Sequence, residues 1–357
     1  MTSYIHDFCH LRPPFQFSQD KGLKWLVDAH VHAEKKGNPE LLVLEFRQKL
    51  QERVDRVACK MEHIQSRGYS IPDITHDEWE GMGFFGDAAA PHGSGFGIRN
   101  RLFQKKASTI FEEFYGDRGA PEDLIHVTCT GYFSPSPGQK MVAKKGWKTR
   151  VTHAYHMGCF AAIPAMRIAQ GFLAAGRKSV DVVHTEMCSL HFNPALHDDD
   201  QLVSQSLFAD GFIRYQMSHE PCGFRLLAVQ EELLPDTADQ MTWGCEDWGL
   251  KMTLAREVPY YFQKIVSSFV EKLGKADYFA IHPGGPKIID RLQKKLELSD
   301  IQVLHSREVL RQYGNMSSAT LPHILELMDK DLRKGERVIG LAFGPGLTIV
   351  GILLEKV

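Results

Sequence analysis

Short β-branched runs alternate along the chain with longer segments whose apolar residues recur at helical spacing. The short runs predict buried strands over residues 123–130, 179–186, 224–233 and 278–281. The longer segments predict helices over residues 23–67, 100–115, 160–175, 201–210, 258–273, 287–298 and 319–332. Residues 1–24 and 68–97 are predicted to be irregular because they lack either period. Strand, helix and strand in succession are typical of an α/β unit with a parallel sheet.

One uncharged run near the C-terminus, residues 338–354, has about the length of a membrane span. Gly344, Pro345 and Gly346 interrupt it in the middle. Two buried strands on either side of a tight loop explain this pattern better than a transmembrane helix. We therefore expect no membrane association from this segment.

Composition narrows the class of protein. The 357 residues are 43% hydrophobic and 24% charged, with a formal net charge of −2, so a basic excess that would favour nucleic acid or membranes is absent from the sequence. The seven cysteines are odd in number and include no CxxC pair. This usage favours a reduced, cytoplasmic interior over a disulfide framework or a zinc site, and predicts no metal.

Three polar residues lie where apolar segments stop. Cys159 precedes the predicted helix over 160–175, where unpaired N–H groups would favour a thiolate. His282 follows a predicted strand, and Asn315 lies in a glycine turn. Each residue alone has an ordinary explanation: a buried inert thiol, a structural histidine or a turn asparagine. Together they suggest an acyl-thioester site, because a thiolate needs a cation nearby and an oxyanion needs donors.

Four motifs in order resemble those of the chalcone-synthase-like type III polyketide synthases. They are GCFA at residues 158–161, IHPGGP at 281–286, YGNMSSA at 313–319 and FGPGLT at 343–348, with VHTE at 183–186 and QSLFADG at 205–211 between them. The resemblance spans roughly residues 40–357. It implies an α/β, thiolase-like fold of two duplicated βαβαβ-type halves in an α/β/α/β/α arrangement, divided into residues 1–225 and 226–357. It also implies a homodimer without metal or bound cofactor.

The resemblance implies an acyltransferase that performs a decarboxylative Claisen condensation for secondary metabolism. Cys159 would hold the acyl chain, and His282 would pair with it. His282 and Asn315 would stabilise the enolate formed when a malonyl thioester, such as malonyl-CoA, loses carbon dioxide. The product would be a polyketide or a pyrone.

The resemblance also assigns a substrate pocket and a weaker donor site. The predicted pocket residues are Phe208, Met252, Cys188, His191, Trp243, Ser317, Gly344, Pro345 and Gly346. Coenzyme A or phosphopantetheine would meet Arg53, Arg56 and Lys60, which are out of register with the family pattern by about one residue. If Trp243 points inward, the pocket is small and accepts few extensions.

Three alternatives stay open at this point. A stand-alone ketosynthase of the same fold would join chains from acyl carrier protein in a single condensation, with α-pyrone formation as one outcome. A cysteine hydrolase also runs Cys, His and Asn in order, but Phe160 stands where papain-like enzymes have Trp. A non-catalytic thiolase-fold partner protein would have lost activity, although all three catalytic residue types are present.

Overall fold

The computed structural model describes residues 2–75, 78–79, 82–85 and 90–357. The strands are β1 (Tyr4–Leu11), β2 (Phe15–Ser18), β3 (Ser66–Tyr69), β4 (Asp123–Thr128), β5 (Arg150–Tyr155), β6 (Ser179–Met187), β7 (Asp210–Ser218), β8 (Phe224–Leu233), β9 (Met241–Glu246), β10 (Gly249–Leu254), β11 (Tyr278–Ile281), β12 (Arg337–Gly344) and β13 (Thr348–Lys356). The α-helices are α1 (Gln19–Gly37), α2 (Val43–Val57), α3 (Phe96–Phe114), α4 (Pro137–Lys144), α5 (Ala162–Ala174), α6 (Asp199–Leu207), α7 (Val258–Leu273), α8 (Pro286–Lys295), α9 (Leu304–Tyr313) and α10 (Thr320–Asp331).

Nine of these strands form one sheet in the order β11-β12-β13-β8-β1-β7-β6-β4-β5. Strand β4 pairs in parallel with both β5 and β6, and β11 pairs in parallel with β12. Strand β1 pairs antiparallel with both β7 and β8 and so joins the two ends of the sheet. The predicted parallel α/β unit around the Cys159 helix is therefore confirmed.

Alternate side chains of the strands pack into different cores, which places the helices in layers. In β6, Val180 and Val182 pack with α5, whereas Val183 and Met187 pack with α3. Strand β12 shows the same division between α10 on one face and α7 with α8 on the other. Because α5 and α10 share one core, the layers follow the predicted α/β/α/β/α order.

Several predicted elements are confirmed, and their apolar patterns are uninterrupted. Helix α7 and strand β11 have the predicted limits, and α7 buries an i, i+4 stripe before ending at Gly274. The uncharged C-terminal run forms β12 and β13, which pair antiparallel around the loop at residues 345–347. Among the residues described, no helix combines the length and apolarity of a membrane span.

Other predictions were wrong. Residues 1–24 contain β1, β2 and the start of α1, because antiparallel partners accept alternating polar positions. The predicted helix over 23–67 is two helices, α1 and α2, followed by β3. Strands β5, β7, β9 and β10 and helices α4 and α9 were not predicted. The predicted loop over 68–97 lies partly outside the described residues, and its last two residues begin α3. The predicted division after residue 225 falls inside β8 and stays a prediction.

Candidate active site

Cys159 lies in the turn that precedes α5, at the edge of two cavities. Gly158, just before it, has φ +89°, and a Cβ there would come within 2.7 Å of the Pro345 ring. Glycine at position 158 therefore lets the loop between β12 and β13 approach the cysteine. The loop and the helix start meet at the thiol because of this contact.

The first cavity, called here the His282 cavity, contains about 580 Å³ of space, part of it open to solvent. Its lining includes Cys159, Phe208, His282 and Asn315. His282 lies there because β11 stops at Ile281, and the backbone N–H of His282 donates to the carbonyl oxygen of Leu341 in β12 at 2.8 Å. The structure thus brings the three predicted catalytic side chains and Phe208 to one cavity.

The ionisation of Cys159 is controlled mainly by burial. Burial is the main reason that the pKa of the Cys159 thiol is raised to about 12. A hydrogen bond from Ser317 lowers this pKa, whereas the nearby carboxylate of Glu186 raises it. The predicted lowering of this pKa by the helix start is therefore wrong, because desolvation outweighs the helix N-terminus. At neutral pH the free thiol needs a proton acceptor.

His282 has the properties of such an acceptor. Burial lowers the pKa of its imidazole to about 3, so the ring is neutral at physiological pH. Both ring nitrogens are buried and have no hydrogen-bond partner among the described residues. An unpartnered buried polar group costs about 1–3 kcal/mol, so the site is incomplete without a ligand or a proton from the thiol. The pairing of His282 with Cys159 stays a prediction.

Asn315 is fixed by its backbone and by its own side chain. Its N–H donates to the carbonyl of Leu207 at 3.0 Å, and its carbonyl accepts from the N–H of Ala209 at 2.8 Å. Its Oδ1 accepts from the N–H of Ser317 at 2.9 Å. This leaves the amide nitrogen as the donor end of the side chain. The geometry suits stabilisation of a developing negative charge.

A second cavity, called here the Trp243 cavity, contains about 600 Å³ of space, part of it open to solvent. It shares Cys159, Ser204, Phe208, Met241 and Met252 with the His282 cavity. It also contains the predicted pocket residues Cys188, His191, Trp243, Ser317 and Pro345. Trp243 and Met252 face each other across the hairpin of β9 and β10. Trp243 therefore points inward, as the small-pocket prediction required.

Two predicted pocket residues occupy other positions. A Cβ at Gly344 would lie 2.3 Å from the Phe160 ring, so this glycine packs against the residue after Cys159. A Cβ at Gly346 would meet Leu233 and Thr348 at 2.6 Å. These two glycines shape the loop, whereas Pro345 between them supplies the cavity surface.

The predicted donor residues lie on or just beyond α2 and are engaged within the protein. Arg53 bonds to Asp199 at 2.9 Å, and Arg56 lies 3.6 Å from the same carboxylate. Arg256 also reaches Asp199, at 2.7 Å. Lys60 donates to the backbone carbonyl of Asp55. Two of the predicted residues thus surround one acidic group at the start of α6, whose later residues line both cavities.

Sequence reasoning missed a buried network behind the cysteine. The carboxylate of Glu186 accepts hydrogen bonds from Ser318 and from the N–H of Cys129 and the hydroxyl of Thr130, both at 2.9 Å. It thereby ties the turn after Asn315 to the end of β4. Cys129 and Thr130, which end the predicted strand over 123–130 and directly follow β4 in the structure, were the available signal.

The sequence of the chain is similar to those of known polyketide synthases. Residues 225–357 match the family model "Chalcone and stilbene synthases, C-terminal domain". The chain is 29% identical over 277 residues to "Probable polyketide synthase 1" of Dictyostelium discoideum, covering 72% of this chain and 9% of that protein. The chain therefore spans less than a tenth of that relative's length.

Three solved structures share the whole fold. The C-terminal type III polyketide synthase domain of "Steely1", a type I/III hybrid from Dictyostelium, superposes with a TM-score of 0.82 at 23% identity and covers 100% of both chains. The resemblance to the type III polyketide synthases is confirmed. PKS-I from the brown alga Ectocarpus siliculosus gives a TM-score of 0.83 at 22% identity, covering 100% of this chain and 98% of that one. 1,3,6,8-Tetrahydroxynaphthalene synthase from Streptomyces coelicolor A3(2) gives 0.80 at 22%, covering 99% of each chain. The type III polyketide synthase fold, a thiolase-like fold, thus extends over the chain.

Proposed function

We propose that the chain is a condensing acyltransferase that joins an acyl group held on Cys159 to a malonyl-type extender by decarboxylative Claisen condensation. The observation that carries this proposal is the convergence of Cys159, His282, Asn315 and Phe208 on one cavity. The imidazole there is neutral, and neither of its nitrogens has a hydrogen-bond partner in the part of the chain that the structure describes. The product is a polyketide or pyrone.

Loading begins with proton transfer from the Cys159 thiol to the neutral imidazole of His282. The thiolate attacks the carbonyl carbon of the donor thioester, and the carrier thiol leaves with the proton returned by the imidazolium. The acyl group now forms a thioester with Cys159. Without the imidazole, burial would keep the thiol protonated at neutral pH.

Extension uses the donor groups of the His282 cavity. When the malonyl carboxylate leaves as carbon dioxide, its bonding electrons become an enolate on the remaining thioester. The Asn315 amide and the N–H of neutral His282 donate to that enolate oxygen. The enolate carbon then attacks the Cys159 thioester carbonyl and expels the thiolate. Phe208 lines the same cavity and restricts the position of the malonyl group.

The carrier of the acyl group is either coenzyme A or the phosphopantetheine arm of an acyl carrier protein. Arg53, Arg56 and Arg256 supply three cations around the single carboxylate of Asp199. Asp198 and Asp200 flank Asp199 in the same turn, so it is the guanidinium groups themselves, rather than a net positive charge, that support recognition of a phosphate-bearing arm, which both carriers present. No resident cofactor enters the proposed chemistry.

A homodimer is also part of the proposal. Strand β5 forms one edge of the nine-stranded sheet and pairs on its inner side with β4. Its first four side chains are exposed or partly exposed. An edge strand of this kind can pair with the same strand of a second copy. Light scattering at micromolar concentration gives the mass that checks this.

The test of the proposed function is intact-protein mass spectrometry after mixing with acyl-CoA and acyl-carrier-protein donors. We expect a mass gain equal to the acyl group, which Cys159→Ala abolishes and Cys222→Ala, at an exposed cysteine, leaves intact. Addition of malonyl thioester should then give a product only in proteins that retain Cys159. Undiminished condensation by Cys159→Ala would sink the assignment, and failure of every donor would favour the non-catalytic alternative.

A further inference from the structure

The far wall of the Trp243 cavity consists of polar residue types whose polar atoms are already used. The Nε2 atom of His191 lies 2.8 Å from the carbonyl oxygen of Thr130, and its Nδ1 atom lies 3.1 Å from the backbone N–H of Leu250. A carbonyl only accepts, so Nε2 carries the proton, and Nδ1 is the acceptor. This tautomer leaves His191 with carbon–hydrogen edges and ring faces for a ligand.

Trp243 is fixed in the same way. Its indole N–H donates to the carbonyl oxygen of Cys129 at 2.6 Å, and its ring meets His191 edge to face, with centroids 5.7 Å apart. The two aromatic rings therefore brace each other, and each has its hydrogen-bond donor directed at the protein backbone. Neither N–H is available to an oxygen atom of a bound chain.

Other polar side chains of this cavity also direct their hydrogen bonds at the protein itself. The Thr130 hydroxyl donates to Glu186 at 2.9 Å and accepts from the N–H of Met187 at 2.8 Å. The Ser204 hydroxyl donates to the carbonyl of Asp200 at 2.7 Å. The side-chain amide of Gln205 donates to Asn193 and accepts from His30, both at 3.1 Å. These bonds turn aliphatic carbon, sulfur and aromatic rings toward the cavity.

From this saturation we infer that the Trp243 cavity takes the starter acyl group as an unsubstituted hydrocarbon chain or ring, with no oxygen at its far end. The inference rests on the proposed function, because the chain is placed there by its thioester to Cys159. An oxygen-bearing starter would lose its hydration and find His191, Trp243 and Thr130 donating elsewhere. A buried polar group left in this state lowers binding, whereas a methyl group in the same place gains from burial.

The test compares two donors that differ by one hydroxyl group. Hexanoyl-CoA and 6-hydroxyhexanoyl-CoA, or the same groups on acyl carrier protein, are mixed with the wild-type protein. Loading of Cys159 is monitored by intact-protein mass spectrometry. We expect the unsubstituted chain to load with a kcat/KM about 10- to 100-fold higher, the range in which an apolar pocket rejects an added hydroxyl. Benzoyl and 4-hydroxybenzoyl donors form a second pair with the same expected direction.

A variant of Trp243 separates the effect of the cavity wall from differences in the intrinsic reactivity of the donors. Trp243→Phe keeps an aromatic ring but removes the N–H, which leaves the Cys129 carbonyl without this partner inside the cavity. The hydroxylated chain can then donate to that carbonyl, so the preference should fall about tenfold. Trp147→Phe is the matched control, because Trp147 packs against Tyr115 elsewhere in the N-terminal half, and its preference should equal that of the wild type.

The outcomes separate this inference from the proposed function. Equal or faster loading of the hydroxylated donors by the wild type overturns the inference and leaves the condensing activity standing. Failure of all four donors on both carriers, together with no decarboxylation of malonyl thioester, overturns the proposed function and the inference with it. A preference that Trp243→Phe leaves unchanged overturns the role of the Trp243 N–H.

Discussion

Phe208 and Asn315 are held side by side by a parallel β-bridge, although they lie far apart in the sequence. The bridge fixes the backbone of both residues, which line the His282 cavity, without using either side chain. A substitution of the Asn315 side chain should therefore leave Phe208 in place. This separates the chemistry of the amide from the architecture around it.

We predict that Asn315→Asp impairs decarboxylation while acyl loading continues. Aspartate keeps an acceptor for the Ser317 N–H but lacks the donor and adds a negative charge beside the enolate. Loss of one such donor costs about 10²- to 10³-fold in rate. Release of carbon dioxide from malonyl-CoA and loading of Cys159 by intact mass give the two rates.

The matched control for that substitution is Asn100→Asp. The Asn100 Oδ1 also accepts a backbone N–H, that of Tyr132, at 2.9 Å, and Asn100 is not among the residues lining either described cavity. Both rates should stay close to wild type in this protein. If loading and decarboxylation fall together in Asn315→Asp, the donor role is rejected.

A second prediction concerns the proton of Cys159. We expect His282→Ala to slow alkylation of Cys159 by iodoacetamide at pH 7 by about 10²-fold, the usual contribution of a positioned base. Without the imidazole, the rate should climb steadily with pH, because burial raises the pKa of the thiol to about 12. Peptide-resolved mass spectrometry measures each cysteine separately, and the exposed Cys222 is the internal reference. An unchanged Cys159 rate would remove His282 from thiol activation.

The three candidate catalytic residues could be selected from the sequence because their local chemistry is visible in short motifs. Cys159 at a helix start, His282 after a buried strand and Asn315 in a glycine turn each follow from a change in the apolar pattern. Their approach to one cavity depends on strand order, which the four motifs imply only through family resemblance. Strands such as β11, apolar at every position, were predicted with correct limits because both faces are covered.

The features that were not predicted from the sequence depend on contacts that the local sequence does not encode. Strand β7 contains Arg214 and Gln216, whose polarity is balanced by Asp7 and Asp181 on neighbouring elements. The high pKa of Cys159 arises from burial by distant segments, which outweighs the helix start that the sequence shows. Likewise, the saturation of His191 by Thr130 requires the folded loop after β4.

A third prediction concerns the size of the Trp243 cavity. Trp243→Ala removes the indole that contacts His191 and the Cys129 carbonyl, so the cavity should extend beyond its present wall. We expect the ratio of kcat/KM for dodecanoyl-CoA over hexanoyl-CoA to rise about tenfold or more, since each methylene accommodated is worth about 1–3 kcal/mol. Competitive loading of Cys159 with both donors gives this ratio directly by mass. A ratio equal to that of Trp147→Ala would mean that Trp243 does not limit chain length.

The last prediction is a pH dependence of stability from Asp210, which is fully buried next to Phe208 and Ala209. Its carboxylate accepts from the N–H of Ser70 at 2.7 Å and from the N–H and hydroxyl of Ser189 at 2.9 and 2.8 Å. Burial nonetheless raises the pKa of Asp210 from 3.8 to about 6, because desolvation outweighs these bonds.

Between pH 4 and 6 the folded protein therefore binds more protons at Asp210 than the unfolded chain does. The free energy of unfolding falls with rising pH wherever this holds. Across this window the wild type should therefore lose up to about 3 kcal/mol of unfolding free energy relative to Asp210→Asn, and above it the difference between the two proteins should stay constant. Urea unfolding of both proteins at pH 4, 5, 6 and 7 measures the difference. Ser189→Ala removes one donor to the carboxylate and should move the upper end of the window to higher pH. A difference that grows in favour of the wild type as pH rises would show instead that the three hydrogen bonds outweigh burial.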